Sequence, residues 1–163
     1  MNTNNTIEKS SCIKTTAVFS KDKKKRYILN ISWDDTKKKA CIIMTYPSTA
    51  DEYIIDQTTM LCRNNAVMLG YGSISIVNLF CGLDLKKPET DRMNYSVLAE
   101  ECSKADIVIV AYGRGTGHEE EKTRLLESLN PYHEKLYTIV DSLGNTFSHP
   151  LSPKARNWKI KKI

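Results

Sequence analysis

Four short runs of almost continuous apolar residues most constrain what this chain can fold into. They span residues 40–46, 74–80, 106–112 and 135–140. Strands that are apolar on both faces and alternate with helices indicate a parallel sheet that is covered on both sides. The sequence therefore predicts an α/β fold, a three-layer sandwich around a central, mostly parallel four-stranded sheet.

Helical segments are predicted between these runs. The first helix is expected to be capped by Asp56 or Thr58 and to end near Leu69, where Gly70 and Gly72 follow. A second helix is expected over residues 94–104, where the apolar positions keep helical spacing. A third helix is expected to begin at Glu119, the first of three consecutive glutamates. This helix is expected to end before Pro131.

A β-hairpin is predicted to precede the sheet. Residues 26–33 alternate apolar and polar side chains, residues 34–36 are typical of a turn, and the first apolar run follows. Residues 1–16 are polar and show no clear periodicity, so we expect an N-terminal tail or a loose first strand there. A single domain over residues 17–153 and a basic C-terminal tail over residues 154–163 complete the expected organisation.

The positive charge of the chain is concentrated at its ends. The whole carries 24 Lys and Arg against 19 Asp and Glu, a net charge of +5. Residues 1–40 contribute +6 and residues 154–163 contribute +5, whereas residues 41–153 carry −6. The lysine runs in the first part are typical of solvated strand ends. The C-terminal segment has Trp158 among its basic side chains. It either contacts phosphate groups and stacks Trp158 on a nucleobase, or it forms a loose tail. Net charge alone does not support a nucleic-acid partner.

Several classes of protein are disfavoured by the composition. No apolar run approaches the ~18 residues of a membrane span, and the first residues lack the pattern of a signal peptide, so we expect a cytoplasmic protein with no membrane partner. The cysteines are odd in number and widely spaced, which argues against a disulfide framework. No C-x-x-C or H-E-x-x-H motif occurs, and we expect no metal and no cofactor. The five cysteines are Cys12, Cys41, Cys62, Cys81 and Cys102.

A glycine-containing loop follows the third apolar run. Residues 113–117 lie between a predicted strand and a predicted helix, as in phosphate-binding turns. The dinucleotide spacing fails because His118 occupies the position of the third glycine. The glutamates at positions 119–121 would also repel a phosphate at the start of that helix. Nucleotide binding at this loop is therefore not expected.

Polar residues at the carboxyl ends of the four strands are the candidates for a binding site, because ligands of open parallel sheets bind there. Asn78 interrupts an apolar run and is either part of a pocket or a buried amide bonded to neighbouring backbone. His149 follows the fourth strand and is a candidate for proton transfer or base recognition, or is structural. His118 and His133 are assigned structural roles. The other strand ends are residues 46–51 and residues 112–113.

Read together, these strand ends resemble the domain-of-unknown-function 1643 family over about residues 17–151. The most specific part runs from Pro47 to Phe80. One departure concerns the family's Leu-Asn-Pro-Ser-Thr-Ala motif, in which Tyr46 replaces the asparagine before the proline. The matching segments are residues 17–20, 26–27, 33, 47–51, 56–58, 62, 70–72, 77–80, 111–113 and 149–151.

That family is distantly similar to the uracil-DNA glycosylase superfamily, and this resemblance implies a nucleobase pocket. Asn78 would then bond the edge of a base, and His149 would donate to a base carbonyl as negative charge develops. Because Tyr46 replaces the residue that positions water, Asp51 or Asp56 would take over that task. The predicted site comprises His149 and Asp51 as catalytic residues and the following substrate-binding residues: Tyr46, Pro47, Ser48, Thr49, Asn78, Phe80 and Tyr112.

Two main functions follow as hypotheses. The first is cleavage of an N-glycosidic bond in nucleic acid or in a nucleotide, with the base flipped out or single-stranded. The alternative is a catalytically silent accessory protein that binds a nucleobase or nucleic acid, which the replacement at Tyr46 favours. A small-molecule enzyme that uses the same strand ends is a weaker third hypothesis. The expected partner is a nucleobase, a nucleotide or a nucleic acid.

Overall fold

The computed structural model describes residues 6–163 and contains one mixed seven-stranded sheet. Three α-helices and two short 3-10 helices, Asn130–Lys135 and Pro153–Ala155, accompany it. The helices are α1 (Gln57–Met68), α2 (Arg92–Lys104) and α3 (Glu119–Ser128). The strands are β1 (Lys14–Phe19), β2 (Arg26–Ser32), β3 (Lys39–Met44), β4 (Ser73–Asn78), β5 (Ile107–Val110), β6 (Leu136–Val140) and β7 (Lys159–Lys162).

The strand order is β1-β2-β4-β3-β5-β6-β7. The four predicted apolar runs form the parallel strands β4, β3, β5 and β6 at the centre of the sheet. The predicted α/β class is confirmed, but the sheet has seven strands because antiparallel neighbours flank this parallel part. Those neighbours are β1 and β2 on one side and β7 on the other.

A β-hairpin precedes the parallel strands, but β1 and β2 form it, so its turn is not the one predicted at residues 34–36. Strand β2 pairs with β1 and with β4, where Leu29 faces Ile76, and β3 lies on the other side of β4. The physical reason is burial, because Ile28 and Leu29 point to opposite faces of the sheet and both are covered. A strand buried on both faces is favoured inside a sheet, and β1 supplies its outer neighbour.

Both chain ends contribute to the sheet. Strand β1 begins at Lys14, inside the segment predicted as a polar tail or a loose first strand, whose residues 1–5 lie outside the described residues. Strand β7 lies in the segment predicted as a basic tail. The side chain of Asn65 in α1 fixes that segment. Its amide nitrogen donates to the backbone carbonyl of Arg156, and its amide oxygen accepts from the backbone N–H of Trp158. The Trp158 ring is buried in the core.

Two buried clusters cover the two faces of the sheet. Cys62 and Ala66 of α1 pack with Ile42 and Ile76 on one face. Leu98 and Cys102 of α2 and Leu125 of α3 pack with Ile43 and Val108 on the other. Helices therefore lie on both sides of the sheet, which leaves the strand ends as the exposed rim.

Local capping explains where two helices begin. The Asp56 carboxylate accepts from the Thr59 N–H at 2.8 Å, so Asp56 is the N-cap of α1, one of the two caps predicted. Asp91 caps α2 in the same way through the Asn94 N–H. None of the described helices has the length and apolar character needed to cross a membrane.

Candidate functional site

The carboxyl ends of β3 and β5 and the loop before α3 surround a cavity of about 300 Å³. Because these strands are parallel, the residues that follow them meet at one edge of the sheet. The loop after β6 adds His149, so side chains far apart in sequence share one wall. The cavity is lined by Thr45, Tyr46, Tyr112, Gly115, Thr116, Gly117, His118, Lys122 and His149.

The protonation state of His149 follows from its hydrogen bonds. Its Nδ1 lies 3.1 Å from the backbone N–H of Leu151, which can only donate. Nδ1 therefore carries a lone pair, and the neutral ring holds its proton on Nε2. Burial lowers the pKa of His149 below its ordinary value, which favours this neutral form. The ring is thus an uncharged N–H donor in the cavity wall.

Gly113 brings the end of β5 close to His149. Its φ of +85° lies in the left-handed region, where glycine carries no side-chain penalty. A Cβ built on Gly113 would lie 3.3 Å from the His149 Cβ, closer than the 3.5–4.0 Å optimum of carbon pairs. Glycine at this position therefore allows the imidazole to pack directly on the strand end.

Three rings form an aromatic cluster, and two of them, Tyr46 and His118, line the cavity. Tyr46 stacks on Phe80 with ring centroids 5.4 Å apart, and His118 packs edge-on against Phe80 at 4.7 Å. The Tyr46 hydroxyl forms a 2.5 Å hydrogen bond with His118 Nε2. The Tyr46 hydroxyl therefore already has a partner within the protein.

Tyr112 continues the aromatic wall. It stacks on Phe147 with ring centroids 5.2 Å apart, and its backbone carbonyl accepts from the Thr45 hydroxyl at 3.0 Å. Burial raises the pKa of the Tyr112 phenol, so this hydroxyl stays protonated at neutral pH. The Lys122 ammonium lies 5.4 Å from the centroid of the ring.

Asn78 is buried at the end of β4 and holds the neighbouring strand end. Its Nδ2 donates to the backbone carbonyl of Tyr46 at 2.7 Å, and the backbone carbonyl of Asn78 accepts from the side-chain amide of Asn94. Neither Asn78 nor Phe80 is among the residues that line the cavity, although Phe80 supports two that do. The buried-amide alternative for Asn78 therefore agrees with its contacts.

A buried arginine organises the loop after β3. Arg26 is almost fully buried, and its Nη1 donates to the carbonyls of Ala50 at 2.6 Å and Ser48 at 3.1 Å. Its Nε and Nη2 have no hydrogen-bond partner among the described residues. Burial lowers the pKa of Arg26 to about 10, while Asp56 and Asp51 counteract this effect. Arg26 therefore fixes the backbone of the predicted substrate-binding loop from inside.

The remaining predicted residues lie on that loop, outside the cavity lining. The Asp51 carboxylate accepts from the backbone N–H groups of Ile54 at 2.6 Å and Tyr53 at 2.8 Å. These bonds lower the pKa of Asp51, which makes it a weaker base. Pro47 is buried and Thr49 is exposed. The structure thus brings Tyr46, Tyr112 and His149 together, and it places the loop beside them.

Sequence reasoning missed His118 and Lys122. The sequence predicts a structural role for His118, and it predicts no nucleotide binding at the glycine loop because the dinucleotide spacing is absent. The signal that could have found both is their position, since they follow a strand whose carboxyl end faces the other candidates. No group of three or more His, Cys, Asp or Glu within residues 6–163 is arranged to hold a metal ion.

A second cavity of about 300 Å³ lies between α2 and α3. Its wall is mainly apolar and includes Leu98, Leu125, Tyr95 and Tyr132. We place the candidate site at the strand ends instead, because two imidazoles, an ammonium and two phenols converge there.

Comparison with known proteins supplies the family of the chain. No match is found among curated proteins or among solved structures. A sequence profile described as "Protein of unknown function (DUF1643)" matches residues 26–151, which is 126 of the 163 residues. The matched segment begins at Arg26 and includes every residue of the cavity wall. The chain therefore belongs to the DUF1643 family of proteins of unknown function, as its motifs predicted.

Proposed function

We propose that the strand-end cavity binds a nucleobase and that His149 donates its Nε2–H to a base carbonyl oxygen. The hydrogen bond from the Leu151 N–H to Nδ1 carries this proposal, because it fixes the ring as a donor through Nε2. Burial favours the neutral ring, and His149 Nε2 makes no hydrogen bond to any described residue. The distant likeness of the family motifs to uracil-DNA glycosylases supports the same ligand class.

The aromatic residues of the wall suit a flat heterocycle. Tyr46 and Tyr112 line the cavity and are each held by a second ring, Phe80 and Phe147. Stacking of a base on an aromatic side chain contributes about 1–3 kcal/mol. In this proposal Asn78 shapes the pocket by holding the Tyr46 backbone, and Arg26 shapes the adjoining loop.

The charges of the chain favour a small ligand over a long nucleic acid. Strand β7 carries three lysines at one outer edge of the sheet, whereas β1 carries only Lys14. The other lysine runs lie in the β1–β2 turn, residues 21–25, and at the start of β3, residues 37–39. Lys122 is the one lysine or arginine among the described residues that line the cavity, so a free base or nucleotide is the ligand best matched to this site.

A second candidate function is cleavage of an N-glycosidic bond, and the neutral His149 donor favours it. A hydrogen bond to the departing base stabilises the negative charge that develops on its oxygen. Activation of water would fall to Asp51, whose carboxylate bonds its own loop and does not line the cavity. Since Tyr46 is bonded to His118, binding is better supported than cleavage.

The binding proposal is tested by calorimetric titration with free uracil, cytosine, adenine and guanine. We expect one of these bases to bind wild-type protein and the variant His149→Ala to bind it at least about tenfold more weakly, the loss of one strong hydrogen bond. The control is His133→Ala, which removes an exposed imidazole on a 3-10 helix and should leave affinity unchanged. Binding of no base, or equal affinity in His149→Ala, would refute the proposal.

Cleavage is tested separately with labelled oligonucleotides. Single-stranded and duplex substrates carrying uracil or modified pyrimidines are incubated with wild type, His149→Ala and Asp51→Asn. Base release that both substitutions abolish would establish the enzyme. Base binding without release from any substrate would leave the binding function alone.

A further inference from the structure

The cavity wall contains a largely buried cation whose ion pair with a carboxylate is long. The Lys122 side chain is 10% exposed, and its Nζ donates to the Gly115 carbonyl at 2.7 Å. The nearest carboxylate oxygen, Oε1 of Glu119, lies 3.7 Å away on a side chain that is 74% exposed. An ammonium has three N–H donors, so two remain without a hydrogen-bond partner among the described residues. Burying a charge is costly unless it is paired.

The backbone around Lys122 adds positive potential to this side of the cavity. Helix α3 begins at Glu119, and the residue before it, His118, forms no side-chain cap. The loop before the helix contributes Gly115 and Gly117 to the cavity wall. Unpaired N–H groups at a helix start attract anions, and here they adjoin the buried ammonium.

The glutamates of the first turn, of which Glu119 and Glu120 are exposed, oppose this attraction. Glu119, Glu120 and Glu121 partly neutralise the positive end of α3. Glu119 is also the acidic group nearest to Lys122, so an anionic ligand would compete with it. This competition provides a test, because removal of the Glu119 charge should strengthen anion binding without altering any residue of the cavity wall.

We infer that the ligand of this cavity is a nucleoside monophosphate, with its phosphate held by Lys122 and the loop before α3. This inference rests on the proposed function, in which the base contacts His149. The same cavity wall then offers a neutral donor for the base and a buried cation for the phosphate. A volume of about 300 Å³ is at the small end of ligand pockets and suits one nucleotide. The phosphate group of a single-stranded nucleic acid has the same chemistry and is separated from it by the experiment.

The test compares each of four nucleosides, uridine, cytidine, adenosine and guanosine, with its 5′-monophosphate by calorimetry at fixed salt. We expect the monophosphate to bind wild type about tenfold or more tightly than the nucleoside, the usual effect of a hydrogen bond to a charged group. Lys122→Met should lower the ratio of monophosphate affinity to nucleoside affinity to about one, and Lys122→Arg should retain part of this ratio. Glu119→Gln, at an exposed position, should raise the ratio and poses little risk to folding.

Three outcomes are decisive in different ways. A ratio near one in wild type, or a ratio that neither Lys122→Met nor Glu119→Gln changes, overturns the phosphate assignment while base binding stands. Binding of inorganic phosphate that depends on Lys122, with no nucleoside bound, supports the anion site and overturns the proposed function. If a single-stranded oligonucleotide binds at least tenfold more tightly than every monophosphate, the ligand is a strand and the mononucleotide assignment is wrong.

Discussion

The contact between Gly113 and His149 allows a quantitative prediction. Replacing Gly113 by alanine places a Cβ on a residue with φ of +85°, which costs about 1–2 kcal/mol for an L-amino acid. The new Cβ also meets the His149 Cβ at 3.3 Å, so the histidine loop must retreat by a few tenths of an ångström. Overpacking of this kind costs about 1–3 kcal/mol, and the small displacement places it near the lower value. We expect a total loss of about 2–3 kcal/mol in the free energy of unfolding.

Gly144 is the matched control. It has the same φ of +85°, but a Cβ built there has no neighbour within 4 Å. Gly144→Ala should therefore lose only the backbone contribution of about 1–2 kcal/mol. Urea denaturation followed by far-UV circular dichroism measures both variants, and NMR of the His149 ring should show a changed environment in Gly113→Ala alone. Equal losses of stability in the two variants would refute the packing of His149 on the strand end.

Three further predictions concern the fold and its pH dependence. Trp158→Ala should lose about 3–5 kcal/mol in thermal or urea unfolding, whereas Trp158→Phe should lose far less, because the buried indole N–H has no partner among the described residues. Asp56→Ala should cost about 1 kcal/mol by removing the cap of α1, and Asp56→Asn, which can still cap, should cost less in the same assay. Burial lowers the pKa of His149 in the folded protein, so as the pH falls the unfolded chain binds the proton before the folded protein does. The contribution of His149 to the free energy of unfolding is therefore present above about pH 6.5 and is lost as the pH falls through the folded-state pKa. His149→Gln should weaken the fall in the free energy of unfolding that occurs as the pH drops below about 6.5, measured by urea denaturation, and an unchanged pH profile would contradict the depressed pKa.

The parallel centre of the fold could be predicted because its strands are apolar on both faces. Strands β3 and β5 contain continuous apolar runs, and Ser75 and Asn78 interrupt the run in β4; short runs of this kind, separated by helical segments, indicate a sheet that is covered on both faces. The flanking strands could not be predicted in this way. In β1 the burial alternates between exposed and half-buried, but the sequence Lys-Thr-Thr-Ala-Val-Phe does not alternate between polar and apolar residues. In β7, Ile160 is the single apolar residue. Neither strand therefore has the apolar alternation from which a strand is predicted.

The residues that line the cavity could be predicted where their position at the end of a strand places them there. Tyr46, Tyr112 and His149 were predicted from the rule that ligands bind at carboxyl ends, and all three line the cavity. The loop that carries Asp51 was predicted as part of the site, but hydrogen bonds of Asp51 to its own backbone could not be read from spacing. The burial of Lys122 is a tertiary effect, because a lysine in the first turn of a helix is ordinarily solvated.

The position of β4 between β2 and β3 has a consequence for the growing chain. Strand β2 ends at residue 32 and β4 begins at residue 73, so 40 residues separate the partners. At about 5–20 residues per second, a ribosome needs roughly 2–8 s to add them. During that interval the β1–β2 hairpin lacks its inner neighbour, and β3 lacks the strand that joins it to the hairpin. Completion of β4 is therefore the event that unites the N-terminal hairpin with the rest of the sheet.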